Sequence, residues 1–428
     1  MNQTLQQIKK ESETLLEPVF REMKDISLYN TEKILAAFRK HELSAFHFAP
    51  SNGYGYNDPG REKLEEIWAD VFKAEAALVR PHFVSGTHAL ATVLLALLHS
   101  GDTLVSAVGA PYDTMQSVIG ITEGARWNLK NRGVSYKEAP LRNKTYDLDA
   151  IRETVDEKTT LVLIQRSRGY ADRAPLFPED IRKIIETVRA KAPQAIIFVD
   201  NCYGEFTARE EPIELGADIC AGSLIKNAGG GMAPTGGYIC GRADLVDLCA
   251  QELTAPGLGA EMGSYAGSYR PYFQGLFMAP HITCQAVMAA ELASAVFTAL
   301  GYPVSPAPGH LRTDLITAIT LGNERNMCLF AEAVQENSPV DSYARPIPGP
   351  MPGYTDPIIM AAGTFVQGST IEISADGPLR APYTIYLQGS LTYEHAQLAI
   401  FGAAEKIMGE KKKTDATCVD AFSDSVKD

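Results

Sequence analysis

The sequence predicts an α/β protein, in which a large domain has a mostly parallel sheet covered by helices and a smaller C-terminal domain is of α+β type. Between about residues 80 and 290, short apolar runs alternate with amphipathic segments, the order typical of strands and helices in a parallel sheet. After residue 290 a Pro- and Gly-rich segment, strand-like runs and a closing helix follow. We therefore predict an N-terminal helical arm over residues 1–60, a large domain over 61–290 and a small domain over 291–428 with a flexible tail.

The first 80 residues are predicted to form helices around one loop. Apolar side chains recur at helical spacing from residue 1 to about 45, and again in "REKLEEIWADVFKAEAALV" (61–79). The stretch "FAPSNGYGYNDPGR" (48–61) separates the two helices. Its glycines and prolines predict a loop.

Five apolar runs of the large domain predict strands. They are "TLVSAV" (103–108), "TLVLIQ" (160–165), "AIIFVD" (195–200), "ADICAGSL" (217–224) and "GGYICG" (236–241). Between the second and third lies "LFPEDIRKIIETVRAKAP" (176–193), whose acidic start and basic end suit the dipole of a helix. Because open α/β sheets bind ligands at the carboxyl ends of their strands, the residues after these runs are candidates for a site.

The small domain is predicted to combine helices and strands. "TFVQGSTIEIS" (364–374) and "YTIYLQG" (383–389) read as strands. A helix, "CQAVMAAELASAVFTALG" (284–301), precedes them, and a closing helix begins at Tyr393. The last residues, from Gly409 on, are polar and predicted to fray.

Composition and charge restrict the class of protein. With 428 residues, 45% of them hydrophobic and 21% charged, the chain has an ordinary globular composition. Its formal net charge of −13 argues against nucleic acid as a partner, because a phosphate backbone requires a basic face. No window holds about 18 uninterrupted apolar residues, and the polar first residues lack the apolar core of a signal peptide. We expect a cytoplasmic protein that binds neither membrane nor nucleic acid.

The cysteines predict reduced thiols rather than disulfides or a metal site. Seven is an odd number, and no pair is spaced as C-x-x-C or placed with histidines as in zinc sites. Most are expected to be small buried groups, and no metal is predicted. The seven are Cys202, Cys220, Cys240, Cys249, Cys284, Cys328 and Cys418.

Two charged residues follow predicted strands. Asp200 ends "AIIFVD", and Lys226 follows "ADICAGSL" 26 residues later. Taken alone, an aspartate at the end of a strand is more often a structural cap, and a lysine there is more often solvated and unreactive. The glycines after Lys226 allow backbone to approach a bound group closely, and a buried lysine is a nucleophile for aldehydes. A carboxylate can also hold a pyridine nitrogen protonated, so the pair favours pyridoxal phosphate as the cofactor.

That cofactor also requires a seat for its phosphate. Ser85, Gly86 and Thr87 stand between an apolar stretch and a predicted helix. The N–H groups and the dipole at a helix start bind anions, and glycine leaves room for their approach. Small residues also open many helices as simple caps, so the motif gains its value from preceding the aspartate and the lysine. Ser223, three residues before the lysine, either adds a hydroxyl to this seat or is an ordinary buried serine.

Tyr112 follows the predicted strand that ends near Val108. Its ring can stack on a pyridine and its hydroxyl can take part in proton transfer, or it is a core tyrosine. His88, directly after the Ser-Gly-Thr motif, is better interpreted as a packed helix residue than as a catalyst.

These motifs resemble those of a known family. "SGTHA", "APYD", "VDNCYGEF" and "GSLIKNAGGGMAPTGG" occur here in the order of pyridoxal-phosphate enzymes of the aspartate aminotransferase type, fold type I. "GYGYND", "IQRSRGY", "QGLFMAPH" and "YLQGSLTYEH" are similar more closely to the methionine gamma-lyase-like or aluminium resistance group. The resemblance covers about residues 45 to 400. It implies the fold type I architecture, pyridoxal phosphate as the cofactor and a lyase activity on sulfur amino acids.

Carried over to this sequence, the resemblance implies that Lys226 is the Schiff-base lysine and that Asp200 is the partner of the pyridinium nitrogen. Tyr112 falls at the ring-stacking position. The positions that bind the phosphate in this fold type hold Gly86, Thr87 and Ser223.

The resemblance also implies that the protein is an oligomer. In the related gamma-lyases, a tyrosine and an arginine near the N-terminus reach across a dimer interface to the neighbour's phosphate. Tyr54, Tyr56 and Arg61 are the candidates here, although the spacing in "GYGYNDPGR" departs from the lyase motif. A homodimer or homotetramer with shared active sites is therefore expected.

Arginines complete the implied site. The fold type usually has a C-terminal arginine that forks onto the substrate carboxylate, a geometry that lysine cannot copy. Arg380 is the first candidate for this role and Arg345 the second. Arg168 lies near the position where the lyases hold the phenolic oxygen of the cofactor with an asparagine, and Arg270 is a candidate for a subunit contact.

The function that follows is elimination of a sulfur-containing leaving group from an amino acid, with Lys226 and Tyr112 as the catalytic residues. The same cofactor can also serve transamination, racemisation or aldol cleavage. A third possibility is a protein of this fold that has lost catalysis and is linked to metal stress. The intact pair of Lys226 and Asp200 argues against that possibility, because nothing structural demands both.

Overall fold

The computed structural model describes residues 3–122, 125–351 and 356–424, with the backbone alone for residues 411–424. Cys418 and most of the tail predicted to fray lie outside the residues whose side chains are described.

The described residues form two compact units. One unit contains residues 23–284 and 312–315, and the other contains the residues before 23, residues 285–311 and those from 316 on. The predicted boundaries at residues 60 and 290 and the flexibility of the tail stay predictions.

Helices and strands alternate along most of the chain. The α-helices are Gln3–Lys40 (α1), Pro59–Val71 (α2), Gly86–Leu97 (α3), Asp113–Ile119 (α4), Leu148–Thr154 (α5), Pro178–Lys191 (α6), Ala243–Leu253 (α7), Arg270–Ala299 (α8), Glu324–Glu336 (α9) and Tyr393–Asp424 (α10). The strands are Ala76–Arg80 (β1), Thr103–Ser106 (β2), Ser135–Glu138 (β3), Leu161–Gln165 (β4), Ile196–Asp200 (β5), Ile219–Ser223 (β6), Gly237–Gly241 (β7), Val304–Ser305 (β8), Thr317–Thr320 (β9), Ile358–Ala361 (β10), Ser374–Pro378 (β11) and Thr384–Gln388 (β12).

The first unit is built on a seven-stranded sheet with the order β1-β7-β6-β5-β4-β2-β3. From β3 to β6 all neighbouring strands are parallel, whereas β7 is antiparallel to both β6 and β1. The five apolar runs predicted as strands all contribute to this sheet. The predicted α/β class with a mostly parallel sheet is confirmed.

Both faces of this sheet are buried. Along β5, Ile197 and Val199 pack with α2 and α6 in one apolar cluster, while Phe198 packs with α3 and α7 in another. Helices on both faces explain why these strands are continuous apolar runs rather than alternating ones. The polar residues after the runs are therefore at the ends of the strands, where the sheet is not covered.

Two strands of this sheet, β1 and β3, were not predicted from the sequence. The helix predicted over residues 61–79 ends at Val71, and residues 76–80 form β1, which pairs with β7. Lys73 turns the chain with a φ of 55°, and pairing with β7 then decides against the helical preference of an alanine-rich run. The polar strand β3 lies at the sheet edge and is mostly exposed, so no apolar run marks it.

The second unit has a five-stranded antiparallel sheet with the order β10-β11-β12-β9-β8. Helices α9 and α10 share an apolar core with this sheet. The predicted smaller C-terminal domain of mixed helices and strands is confirmed. The predicted strand at 383–389 is β12, and the closing helix begins at Tyr393 as predicted.

The strand predicted over residues 364–374 is wrong, because β11 begins only at Ser374. The backbone N–H groups of Phe365 and Val366 donate to the buried carboxylate of Glu372 at 2.8 and 2.9 Å. These bonds close the segment into a turn, since a carboxylate with two backbone donors competes with strand pairing.

Helix α8 is long and apolar enough to cross a membrane by length and composition alone. However, 83% of its most apolar window is buried inside the protein. A core helix of a soluble protein has the same properties, so this helix is weak support for a membrane protein.

Candidate active site

A cavity of about 410 Å³ lies at the carboxyl ends of the central strands of the seven-stranded sheet. Part of this space is open to solvent. It brings together a group of the residues predicted from the sequence: Gly86, Thr87, Tyr112, Asp200 and Lys226. They come from four separate segments of the chain, as expected for the open end of a parallel sheet.

Lys226 follows β6 with an extended backbone (φ −117°, ψ −152°), directly before a short 3-10 helix. The glycines after it have a steric reason. A Cβ on Gly229 would collide with the carbonyl of Leu224, and a Cβ on Gly230, whose φ is 55°, would collide with the carbonyl of Gly275. The loop after the lysine is therefore packed against backbone, which only glycine permits.

The charge of Lys226 is surrounded by groups that can become negative. Burial lowers the pKa of this lysine, but Cys202, Tyr203, Asp200 and Glu205, in their ionised forms, raise it and together outweigh burial. In the protein without a ligand, Lys226 is therefore a cation.

Asp200 is the last residue of β5 and is only 6% exposed. The backbone N–H of Cys202 donates to its Oδ1 at 3.1 Å. Burial raises the pKa of Asp200, while the charge of Lys226 and the Cys202 N–H lower it, and burial prevails. A buried carboxyl group in this setting favours a cationic or N–H donor partner.

The N-terminus of α3 forms one wall of the cavity. Ser85 caps this helix, with its Oγ accepting from the backbone N–H of His88 at 3.1 Å. A Cβ on Gly86 would lie 3.0 Å from the Cβ of Ser223, so these two residues are in close contact. Thr87 bonds through its hydroxyl to Thr114 at 2.8 Å. Small residues at the N-terminus of a helix suit an anion.

Tyr112 is held in the cavity wall by residues that the sequence did not suggest. Its backbone N–H donates to Oε1 of Gln165 at 2.7 Å, and Nε2 of Gln165 donates to the carbonyl of Ser167 at 2.9 Å. A Cβ on Gly169 would lie 2.8 Å from the Tyr112 ring. Tyr170 packs beside it with the ring centroids 5.8 Å apart. Tyr112 therefore has a defined orientation.

Arg168 lies between two residues that line the cavity, Ser167 and Gly169. Arg168 itself is buried and is not among the residues that line it. Its backbone N–H donates to Asp314 at 3.3 Å and its Nε to the carbonyl of Ala171 at 3.3 Å. A second buried arginine nearby, Arg173, was not identified from the sequence. It donates to the carbonyl of Gln165 at 2.7 Å, and burial lowers its pKa to about 10.

The structure does not bring Arg61 to the cavity of its own chain. Arg61 is only 1% exposed. Its guanidinium donates to the carbonyl of Gly55 at 2.6 Å and to that of Glu261 at 3.3 Å. Tyr54 and Tyr56 are exposed and pack on each other, with ring centroids 5.6 Å apart. Their predicted role toward a second copy of the chain stays a prediction.

The predicted carboxylate-binding arginines both belong to the second unit and make ion pairs there. Arg380 donates to Asp356 at 2.9 Å, and Arg345 donates to Glu332 at 2.9 Å. Both side chains are more than half exposed. Their roles stay predictions, as does that of Arg270, which is exposed at the start of α8.

Two further expectations concern packing. His88 lies edge-on against Phe83 with ring centroids 5.5 Å apart, and its Nδ1 accepts from the backbone N–H of Val84 at 3.2 Å. Burial lowers the pKa of this imidazole. The six cysteines with described side chains are free thiols, and five of them are buried.

A mostly parallel sheet with a lysine, an aspartate and a helix N-terminus at its open end defines the fold type I class of pyridoxal-phosphate enzymes. Within this class, the chain belongs to the methionine gamma-lyase family, whose model matches residues 5–408. This membership confirms the resemblance predicted from the motifs. At the level of the family, it also confirms the predicted class of carbon–sulfur lyases.

Relatives of similar length support the assignment. A protein from Listeria monocytogenes, described as a candidate cystathionine β-lyase involved in aluminium resistance, is 47% identical with a TM-score of 0.92, over 94% of this chain and 100% of the other. A carbon–sulfur lyase involved in aluminium resistance from Clostridium novyi is 44% identical with a TM-score of 0.89, over 94% and 96%. The uncharacterised protein YnbB of Bacillus subtilis is 43% identical over 91% of this chain and 93% of its own.

Proposed function

We propose that the protein eliminates a sulfur-containing leaving group from an amino acid, with pyridoxal phosphate held on Lys226. The observation that carries this proposal is the single cavity in which Lys226, Asp200 and the N-terminus of α3 meet. Family membership supports the carbon–sulfur lyase class, and the cavity supports the choice of cofactor.

The chemistry of the cavity fits this cofactor at both of its ends. A phosphate would lie at the N-terminus of α3, where Gly86 packs closely against Ser223 and where Thr87 and Ser223 offer hydroxyls. At the other end, the buried carboxyl group of Asp200 offers an acceptor to a protonated ring nitrogen. When bound, pyridoxal phosphate supplies an electron sink for the pair that remains after the α-hydrogen leaves.

The residues of the chain then have separate tasks. Lys226 would hold the cofactor through its amino group, Nζ. When it is not bound to the cofactor, Nζ would accept the α-proton of the substrate. The hydroxyl of Tyr112 donates a proton toward the departing sulfur, from the orientation that Gln165 and Gly169 impose.

Substrate selection and assembly are further parts of the proposal. A guanidinium, from Arg380 first and Arg345 second, binds the carboxylate of the substrate. Tyr56, on the loop that the buried Arg61 supports, belongs to a site shared between two copies of the chain, which makes the protein at least a homodimer. A cytoplasmic location agrees with the reduced state of the described cysteines.

The first prediction concerns the lysine. The full-length protein is expected to show a visible absorption band with pyridoxal phosphate, and borohydride reduction is expected to leave the cofactor on the peptide that contains Lys226. Lys226→Ala should lose the band and the adduct. Lys130→Ala, which changes an exposed lysine, is the matched control and should keep both. A wild-type protein that takes up no pyridoxal phosphate would remove the central claim.

The reaction itself is tested with the holoenzyme. Methionine, homocysteine, cystathionine and cysteine are supplied one at a time, and release of a 2-oxo acid and of a thiol is measured. Elimination yields both products from one substrate without a second one. If a product appears only when 2-oxoglutarate is added, the reaction is transamination and the lyase proposal is wrong.

A further inference from the structure

The structure places an aromatic ring against the amino group of Lys226. Nζ lies 3.9 Å from the centroid of the Tyr203 ring. This distance is well inside the ~6 Å over which the face of an aromatic ring attracts a cation. Tyr203 also lines the cavity. The amino group therefore has a defined resting place when it is not bound to another group.

The backbone of Tyr203 is held in a conformation that bulky residues rarely adopt. Its φ is 70°, in the left-handed region. Nδ2 of Asn227 donates to the carbonyl of Tyr203 at 3.0 Å and to that of Glu205 at 3.1 Å. Asn227 is buried and directly follows Lys226. Strain of this kind persists where surrounding contacts maintain it, and it gathers at functional sites.

We propose that Tyr203 is a positioning residue that holds the uncombined amino group of Lys226 on its ring face, and that Asn227 fixes the ring in place. The consequence for catalysis rests on the proposed function. When Lys226 takes the α-proton, the C–H bond of the substrate breaks and its electron pair stays with the carbon, while the proton bonds to Nζ. Nζ changes from neutral to positive in this step, so the ring face stabilises the transition state more than the starting state.

Other charged groups also face the lysine. These are titratable groups: Asp200 at the end of β5, and Cys202 and Glu205 in the loop that follows this strand, each of which raises the pKa of the lysine when it is ionised. They remain unchanged in every variant below, so their contribution is the same on both sides of each comparison. The variants therefore isolate the ring.

The first test is a double-mutant cycle in the cofactor-free, full-length protein. Lys226→Met removes the charge and keeps the apolar stem. Tyr203→Asn removes the ring with a residue that tolerates a left-handed φ. We expect the thermal unfolding midpoint of the double variant to exceed the additive value by about 1 to 4 °C, because the two single changes break the same contact. Additive midpoints would overturn the proposed contact.

The second test uses the loaded enzyme and Tyr203→Phe as the matched control. Tyr203→Asn should lower kcat about 3- to 30-fold with KM changed less than about threefold. Tyr203→Phe keeps the ring face and should recover most of the kcat that Tyr203→Asn loses. If the Phe variant falls as far as the Asn variant, the hydroxyl rather than the ring is responsible and the proposal is wrong. An unchanged kcat in the Asn variant would also overturn it.

The two tests separate this proposal from the proposed function. The double-mutant cycle requires no cofactor and no substrate. Nonadditive midpoints in a protein without lyase activity would support the contact and contradict the proposed function. Additive midpoints in an active lyase would contradict the contact and leave the proposed function in place.

Discussion

Glu205 has no exposed surface. It lies close enough to Lys226 for the charge of the lysine to lower its pKa. The hydroxyl of Tyr238 donates to its Oε1 at 2.8 Å, while Oε2 has no hydrogen-bond partner among the described side chains and backbone groups. Burial raises the pKa of this carboxyl group to about 8, against the lowering effect of backbone and Tyr238 donors. Ionised carboxylates are costly without full pairing, so we expect Glu205 to be protonated at pH 7.

At the residue scale, this state predicts how stability depends on pH. The folded protein keeps the Glu205 proton up to about pH 8, whereas the unfolded chain loses it near the usual value of 4.5. Glu205 therefore makes the free energy of unfolding fall as pH rises through this window. Glu205→Gln should remove that fall and gain up to about 5 kcal/mol relative to wild type between pH 5 and 8.

The measurement is unfolding in denaturant at several pH values for both proteins. Asp200, whose pKa is also raised, remains in both, so only the difference between the two curves is compared. Glu153→Gln, an exposed position on α5, is the control and should run parallel to wild type. Parallel curves for Glu205→Gln as well would show that this carboxyl group is already ionised at pH 5.

At the element scale, α3 combines two properties at its start. Its first backbone N–H groups have no partner within the helix, and Gly86 keeps the approach to them free of a side chain. The Cβ of Ser223 from β6 lies 3.0 Å from the place that a Cβ on Gly86 would occupy. The strand and the helix thus meet in a close contact that a larger side chain at position 86 would tighten.

Gly86→Ala should therefore weaken binding of pyridoxal phosphate about tenfold, which corresponds to about 1.4 kcal/mol, because the new methyl group displaces Ser223 or the phosphate. Its stability should change little, since alanine is favoured in a helix. The measurement is an absorbance titration with the cofactor, with inorganic phosphate as a competitor. Gly409→Ala in α10, where nothing lies within 4 Å of the new methyl group, is the matched control. Equal affinities in all three proteins would place the phosphate elsewhere.

At the scale of the whole molecule, two loops of the first unit are bound to each other. Ser51 and Tyr265 bond through their backbones at 2.9 Å, and the backbone N–H of Gly263 donates to the carbonyl of Tyr54 at 3.0 Å. Arg61 is buried beneath this pair of loops. The tyrosine rings remain on the surface, with Tyr54 67% and Tyr56 59% exposed. Exposed aromatic rings on a fixed loop are suited to contact with a second copy of the chain.

Complementation between inactive variants tests this shared site. Tyr56→Ala and Lys226→Ala are each expected to lose lyase activity at least tenfold. Hybrids formed by subunit exchange should regain activity, because one of their sites combines a native Lys226 with a native Tyr56 from the other copy. Hybrids of Lys226→Ala with Asp200→Ala are the control and should stay inactive, since both residues line the cavity of the same chain. Verified hybrids of the first kind without activity would contradict a shared site.

The order of the reacting groups follows from local signals, which a sequence carries by itself. Asp200 and Lys226 follow apolar runs that form strands, and Gly86 opens a helix with a serine cap. Such signals depend on neighbours in the chain. Strands that run parallel must then end at one edge of a sheet, so the cavity was predictable from the sequence.

Other features depend on contacts between distant residues, and only the tertiary structure decided them. Tyr203 and Gln165 have no local pattern that marks them, since their roles arise from contacts with Lys226 and Tyr112. Residues 76–80 became a strand because β7 offered pairing, against a helical preference. Arg61 became a buried support for its own loops because carbonyl groups more than 190 residues away in sequence surround it. The sequence determined which chemical groups the site has, and tertiary packing decided which of them meet.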